Sequence, residues 1–262
     1  MSAALGASSI LIKLGGTAAS RIETLEALAR DLAATGSDVA IVHGGGKEVS
    51  ELSRRLGLEP VFRDGVRMTT EPEMDVVEMV LSGLANKRLV RRLLGTGLNA
   101  VGISGADAGL VLGERISDAA GNRSRTARVS GMRIQLVRDL WSHGYLPVIA
   151  SPATDADGQA VNINADDVAF ALAGALEVES LVFLSDVPGV LIDGEPVPAL
   201  TAAMAEARIA AGEISGGMIP KVRNAMTAIE RGVRQVVIGD YTRAGDLRSL
   251  VSGGRGTAIV AG

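Results

Sequence analysis

The chain of 262 residues contains no cysteine and only two histidines, His43 and His143. Without cysteine there is no disulfide, no thiolate nucleophile and no Cys-based zinc or iron-sulfur site, and two histidines leave little for a histidine-ligated metal. Any metal chemistry must therefore use oxygen ligands. Positive charge is not in excess either: 26 Lys and Arg stand against 30 Asp and Glu, a net charge of -4. Neither nucleic acid nor an anionic membrane surface is an expected partner. No apolar run approaches the roughly 18 residues that a membrane span needs. The opening MSAALGASS has neither the basic n-region nor the apolar h-region of a signal peptide, so the expectation is a cytoplasmic protein. Both familiar nucleotide fingerprints are missing as well. Lys47 follows Gly44-Gly45-Gly46 but is itself followed by Glu48, which is no Walker A loop, and no G-x-G-x-x-G occurs.

What is present is an apolar content of 47%, enough for one large core or two modest lobes. Short β-branched runs alternate with helical patterns. SSILIKLGG ends in Gly15-Gly16 and leads, through a Ser20/Glu23 capping box, into Leu25, Leu28, Ala29 and Leu32, with Gly36 as the stop. DVAIVHGGG followed by KEVSELSRRLG repeats the arrangement. Thr70 with Glu73 opens a long helix carrying Val77, Val80, Leu81 and Leu84 and stopping at Gly95. Further strands are expected at NAVGIS, LPVIAS, SLVFLSD, QVVIGD and GTAIVA, with hairpins between about Ala106 and Gln135. This βα alternation predicts an α/β fold, a three-layer αβα sandwich with a central, mostly parallel sheet and two lobes, residues 1–176 and 177–262.

In such sheets ligands bind at the carboxyl ends of the strands, and four stretches fall there. Lys13 is the only charge in an apolar strand and precedes two glycines; a lysine snorkelling from a strand end would look the same. Gly44-Gly45-Gly46 exceeds what a tight turn needs and lets backbone N–H groups close on a ligand. In VNINADDVAF, Asn164 reads as a helix N-cap and Asp166 and Asp167 as first-turn carboxylates, favoured there by roughly 0.3 to 1 kcal/mol. Asn162 is left over, two residues before Asn164 on an extended segment, hence on the same side. Lys221 lies in the first turn of the helix after ISGG, where a cation opposes the macrodipole and a bound anion would offset the cost.

The ordered motifs IKLGG, IVHGGG, GVRMT, NINADD, LSDVPGVL and GGMIPK resemble the amino acid kinase family over essentially the whole chain from about Ile10. The resemblance implies the amino acid kinase (carbamate kinase-like) fold and ATP-dependent phosphorylation of the γ-carboxylate of N-acetyl-L-glutamate, a step of arginine biosynthesis, with Mg²⁺ and as a homodimer. Close alternatives are a kinase acting on a carrier-protein-linked aminoadipate in lysine biosynthesis and a catalytically silent nucleotide-binding regulator. By resemblance, Lys13 and Lys221 bind the transferring phosphoryl group and Asp166 orients both. Gly15 and Gly16 contact nucleotide phosphates, and Ser185 and Asp186 begin the nucleotide-binding half. Gly44, Gly45 and Gly46, Arg67, Asn162 and Asn164 hold the acyl acceptor, with Arg67 on its α-carboxylate. Read from its neighbours alone, Arg67 could equally be a solvated surface residue. Asp167, one residue from Asp166 and about 100° away around a helix, reads as a capping or solvated carboxylate. No protein ligand is assigned to Mg²⁺, which dehydrates reluctantly and binds largely through phosphates and water. The chemistry suits these residues: a γ-carboxylate, which ordinarily titrates near pH ~4.3, is already ionised at neutral pH and needs no general base.

Overall fold

A computed structural model describes residues 9–15, 22–63, 66–117 and 123–262. Gly16 and Ser20 lie outside the described residues, and with them part of the glycine pair after the first strand and the Ser20/Glu23 cap.

The first apolar run is strand β1 (Ser9–Leu14), with Leu11 and Ile12 fully buried and Lys13 half-buried. Helix α1 (Ile22–Thr35) buries Leu25, Leu28, Ala29 and Leu32 and stops at Gly36, whose φ of 62° few side-chain-bearing residues adopt. Strand β2 (Asp38–His43) and helix α2 (Gly46–Arg55) follow, then the hairpin β3 (Val61–Arg63) and β4 (Val66–Met68).

The expected long helix exists but is not uniform. It runs as α3 (Glu71–Glu78), a π-helical segment (Met79–Ala85) and α4 (Asn86–Gly95). Its start is the capping box expected: Glu73 N–H donates to Thr70 Oγ1, and Thr70 N–H to Glu73 Oε2. The buried positions Val77, Leu81, Ala85, Leu89 and Leu93 recur every four residues. At 100° per residue each such step overshoots a full turn by about 40°, so a pure α-helix would rotate this row off the core. The wider π-helical segment takes up that drift.

Next come β5 (Ala100–Ser104), the antiparallel pair β6 (Val111–Ser117) and β7 (Arg123–Met132), helix α5 (Gln135–Ser142), and strands β8 (Leu146–Ala150), β9 (Ala153–Asp155) and β10 (Ala160–Val161). Helix α6 (Ala165–Leu176) leads to β11 (Ser180–Ser185) and the short strands β12 (Leu191–Ile192), β13 (Glu195–Pro196) and β14 (Ala199–Thr201). The chain closes with α7 (Ala202–Ala210), α8 (Met218–Glu230), β15 (Gln235–Asp240), α9 (Asp246–Val251) and β16 (Thr257–Val260).

The main sheet has the order β14-β16-β15-β11-β1-β2-β8-β5. The β1/β11, β11/β15, β2/β8, β5/β8 and β14/β16 pairs are parallel and β15/β16 is antiparallel. This is the α/β class with a mostly parallel central sheet. Apart from Lys13, the interiors of its central strands are apolar runs, as burial on both faces requires.

Two compact units are present, one formed by the described residues up to Ala40 with Ala169–Gly262, the other by Ile41–Val168. The division expected in chain order lay at 176/177; β1, flanked in the sheet by β2 on one side and β11 on the other, is grouped with the C-terminal residues to which β11 belongs. In the first unit Phe170 of α6 stacks on Phe183 of β11, ring centroids 4.6 Å apart. In the second, Val49, Met74, Val76, Val77, Val80, Leu81 and Ala150 form a core that joins α2 to the long helix. Among the described residues no helix is long and apolar enough to cross a membrane.

Candidate active site

Within the unit Ile41–Val168 the glycine loop follows directly from the carboxyl end of β2. Gly46 opens α2, and Gly45 occupies its N-cap position with no side chain to cap it. A Cβ on Gly45 would stand 2.8 Å from Leu81 Cδ2, whereas one on Gly46 would meet nothing within 4 Å. The middle glycine is therefore demanded by packing, while the third keeps an exposed helix start open. A Cβ on Gly44 would lie 3.3 Å from Ala165 Cβ, so the loop rests against the beginning of α6. Under it His43 is buried, its Nδ1 3.1 Å from Gly44 O and its Nε2 3.1 Å from Asn86 Nδ2. Because the amide nitrogen donates, Nε2 accepts and Nδ1 carries the proton that Gly44 O receives.

Arg67 is no surface residue. It is 9% exposed, and Nη2 donates to Gly46 O at 3.0 Å and to Ser50 Oγ at 2.5 Å. The guanidinium lies 4.7 Å from the centroid of the Phe62 ring. Its Nη1 is buried with no hydrogen-bond partner. Burial pulls the Arg67 pKa down, against the opposing field of Glu73, and Arg54 adds to the lowering. An arginine buried with one nitrogen unpartnered is costly by about 1 to 3 kcal/mol or more, and a planar carboxylate is the ligand that would offset that cost.

Asn164 caps α6 as expected, its Oδ1 accepting from Asp166 N–H at 2.9 Å, so Asp166 and Asp167 occupy the first helical turn. Asn162, the residue left over above, donates from Nδ2 to Thr69 Oγ1 at 2.8 Å. Its remaining carbonyl oxygen and the amide nitrogen of the exposed Asn164 offer one acceptor and one donor to a ligand. Arg67, the glycine loop and Asn162 are thus joined through the contacts of Gly46, Thr69 and Ala165.

Within the other unit, Lys13 stands opposite Phe183 in the β1/β11 register, and Gly15 N–H donates to Leu184 O at 3.1 Å. A Cβ on Gly15 would stand 3.1 Å from that oxygen, which favours glycine there. Lys13 and Gly15 accordingly lie alongside Ser185 and Asp186 at the carboxyl ends of adjacent parallel strands. Ser185 in turn faces Asp240 of β15, which a two-pronged contact from Arg255 holds at 2.8 Å. Lys221 lies at the start of α8, whose N-cap Gly217 has no side-chain bond. No group of three or more His, Asp or Glu with metal-site geometry occurs among the described residues.

Sequence reasoning missed Ser50, Thr69, Thr126, His43 and Asn86 as parts of this region. Only Ser50, four residues after Gly46 on one helix face, carried a local signal; the others are placed by distant pairing.

The model of the Amino acid kinase family matches residues 8–240. The chain is 48% identical over 201 residues to an acetylglutamate kinase of Chloroflexus aurantiacus, covering 76% of this chain and 79% of that one. It is 41% identical over 251 residues to an acetylglutamate kinase of a Roseiflexus species, covering 96% and 93%. Among solved structures it is similar to the carbamate kinase of Giardia lamblia bound to AMP-PNP, with a TM-score of 0.72, 16% identity and coverage of 98% and 99%.

Proposed function

Because the chain belongs to the amino acid kinase family, we propose that it transfers the γ-phosphoryl group of ATP to the γ-carboxylate of N-acetyl-L-glutamate, giving an acyl phosphate for arginine biosynthesis. The observation that carries this reading is Arg67, buried with an unpartnered Nη1 and hydrogen-bonded to the glycine-loop carbonyl of Gly46. The relatives named acetylglutamate kinase supply the acceptor.

In this reading Arg67 takes the α-carboxylate, Asn162 and Asn164 take the acetamido group, and Gly44, Gly45 and Gly46 admit the acceptor close to the backbone. The γ-carboxylate attacks as it stands, already ionised. Lys13 and Lys221 offset the charge on the equatorial oxygens of the transferring phosphoryl group, and Asp166 keeps the two ammonium groups charged and oriented. Gly15, Gly16, Ser185 and Asp186 serve the nucleotide. Mg²⁺, held by the nucleotide phosphates and water, would supply further neutralisation of that charge. We also read the protein as cytoplasmic and as a homodimer; the dimer is supported by Met79, Leu84 and Leu94, apolar side chains left about half exposed on the long helix.

Trapping the acyl phosphate with hydroxylamine, in the presence of ATP and Mg²⁺, tests the reading. N-Acetylglutamate is expected to give hydroxamate, with glutamate, aspartate and aminoadipate derivatives far behind. Turnover of unacetylated glutamate alone would overturn the acceptor assignment.

A further inference from the structure

Arg67 and Asn162 are 95 positions apart, on different elements, and the same short piece of β7 holds both. One edge of β7 pairs with β6, Ala127 standing opposite Arg115. Further bonds tie Arg125 and Ala127 to Thr69 and Asn162. Arg125 N–H donates to Thr69 O at 2.8 Å, Asn162 N–H donates to Arg125 O at 2.8 Å, and Ala127 N–H donates to Asn162 O at 2.9 Å. Between Arg125 and Ala127 sits Thr126, 3% exposed, in a position where an apolar β-branched residue would fill the same space.

The Thr126 hydroxyl both donates and accepts. It donates to Arg67 O at 2.6 Å and accepts from Thr69 N–H at 2.8 Å. Thr69, itself completely buried, accepts Asn162 Nδ2 on its own hydroxyl at 2.8 Å. Two hydroxyls therefore link the backbone of the arginine to the carboxamide of the asparagine. The two Thr126 bonds are buried and the Asn162 bond is partly so, which makes the Thr126 pair the costlier to leave unmade.

We propose that Thr126 is a positioning residue for the acyl acceptor: with Thr69 it fixes the separation and relative orientation of Arg67 and Asn162, the two ends of the acceptor grip. This rests on the acceptor assignment made above. The chemistry at the phosphoryl group does not pass through it, so its loss acts on acceptor binding and leaves the nucleotide side alone. Thr126→Val keeps the shape and removes the hydroxyl, leaving Arg67 O and Thr69 N–H without their bond; Thr126→Ser keeps the hydroxyl.

The test is steady-state kinetics of wild type, Thr126→Val, Thr126→Ser and Thr126→Val/Arg67→Lys, with both substrates varied. Thr126→Val is expected to raise the KM for N-acetylglutamate about tenfold, the equivalent of one lost hydrogen bond, with the KM for ATP within about twofold. Thr126→Ser is expected to restore most of the acceptor KM. The double variant is expected to cost less than the product of the single effects, since both act through one guanidinium. A folded Thr126→Val enzyme with an unchanged acceptor KM, or with both KM values raised alike, overturns the proposal while leaving the acceptor assignment intact. A wild type that does not turn over N-acetylglutamate removes the assignment and the proposal together. Should Thr126→Val not fold, Thr69→Val breaks the same link at the Asn162 end; it is expected to raise the acceptor KM at least threefold, and no rise overturns the proposal.

Discussion

Replacing Arg67 by lysine keeps a positive charge and discards the planar fork. In the structure the fork does three things that an ammonium group cannot do together. One nitrogen donates to both Gly46 O and Ser50 Oγ, the plane lies over Phe62, and Nη1 is left for a ligand. A hydrogen bond to a charged group contributes about 1.5 to 3 kcal/mol. If one such bond to the acceptor's α-carboxylate is lost, the acceptor KM rises about 10- to 100-fold, at 1.4 kcal/mol per factor of ten. The kcat is expected to change by no more than a few-fold, because Arg67 is not assigned to the transferring phosphoryl group. Hydroxamate production measured against both substrates gives the two constants separately, and a thermal melt confirms that the variant is folded. An acceptor KM within twofold of wild type, or a loss confined to kcat, would refute the assignment of Arg67 to the ground-state grip.

Lys13→Ala and Lys221→Ala are each expected to lower kcat by about 10²- to 10³-fold, the usual consequence of removing one preorganised charge from a transition state; near-normal turnover in either variant removes that lysine from the phosphoryl site. Gly45→Ala places a Cβ 2.8 Å from Leu81 Cδ2 and is expected to destabilise by roughly 1 to 3 kcal/mol in urea titration, whereas Gly46→Ala, with open space around it, leaves the midpoint unchanged and raises the acceptor KM. Equal midpoints for the two alanine variants would contradict the packing argument. Burial pushes the Asp155 carboxyl up, but the N–H groups of Gln159 and Asp157 and the Arg115 guanidinium outweigh it and hold its pKa below the usual carboxylate range. The unfolded chain therefore binds this proton more readily than the folded one. The contribution of Asp155 to stability is complete above the ordinary carboxylate range and is lost as pH falls through that range and below. Asp155→Asn is accordingly expected to flatten the decline of the urea midpoint between about pH 5 and pH 3, and an unaltered decline would show that Asp155 does not contribute to it.

Local signals carried most of the secondary structure. The strands of the main sheet are apolar runs ending in glycine or a polar residue, and the capping box at Thr70 and Glu73 marked a helix start within one residue. The π-helical segment at Met79–Ala85 was not legible, because a row of buried residues spaced by four satisfies a helical pattern without revealing which turn absorbs the drift. The grouping of β1 with the C-terminal residues was not legible for a different reason. A parallel pair such as β1/β11 joins residues about 170 positions apart, and nothing local announces its partner. At the site, the glycine loop and the Asn164 cap could be read from residue types alone. The burial of Arg67 could not, since it depends on the β3/β4 hairpin bringing Arg67 onto Gly46 and Ser50. Thr126 lies in an arginine-rich stretch with no apolar periodicity, so its burial appears only once β7 has partners along its length.

The most direct measurement is ³¹P NMR of the reaction mixture, following the γ-phosphate of ATP as it leaves the nucleotide in the presence of Mg²⁺. An acyl-phosphate resonance that grows with N-acetylglutamate, is absent with glutamate and is lost in Lys221→Ala is the predicted result. ATP that stays intact with N-acetylglutamate, or that releases only inorganic phosphate at the same rate without it, would contradict the assignment of this chain as an acyl-phosphate-forming kinase.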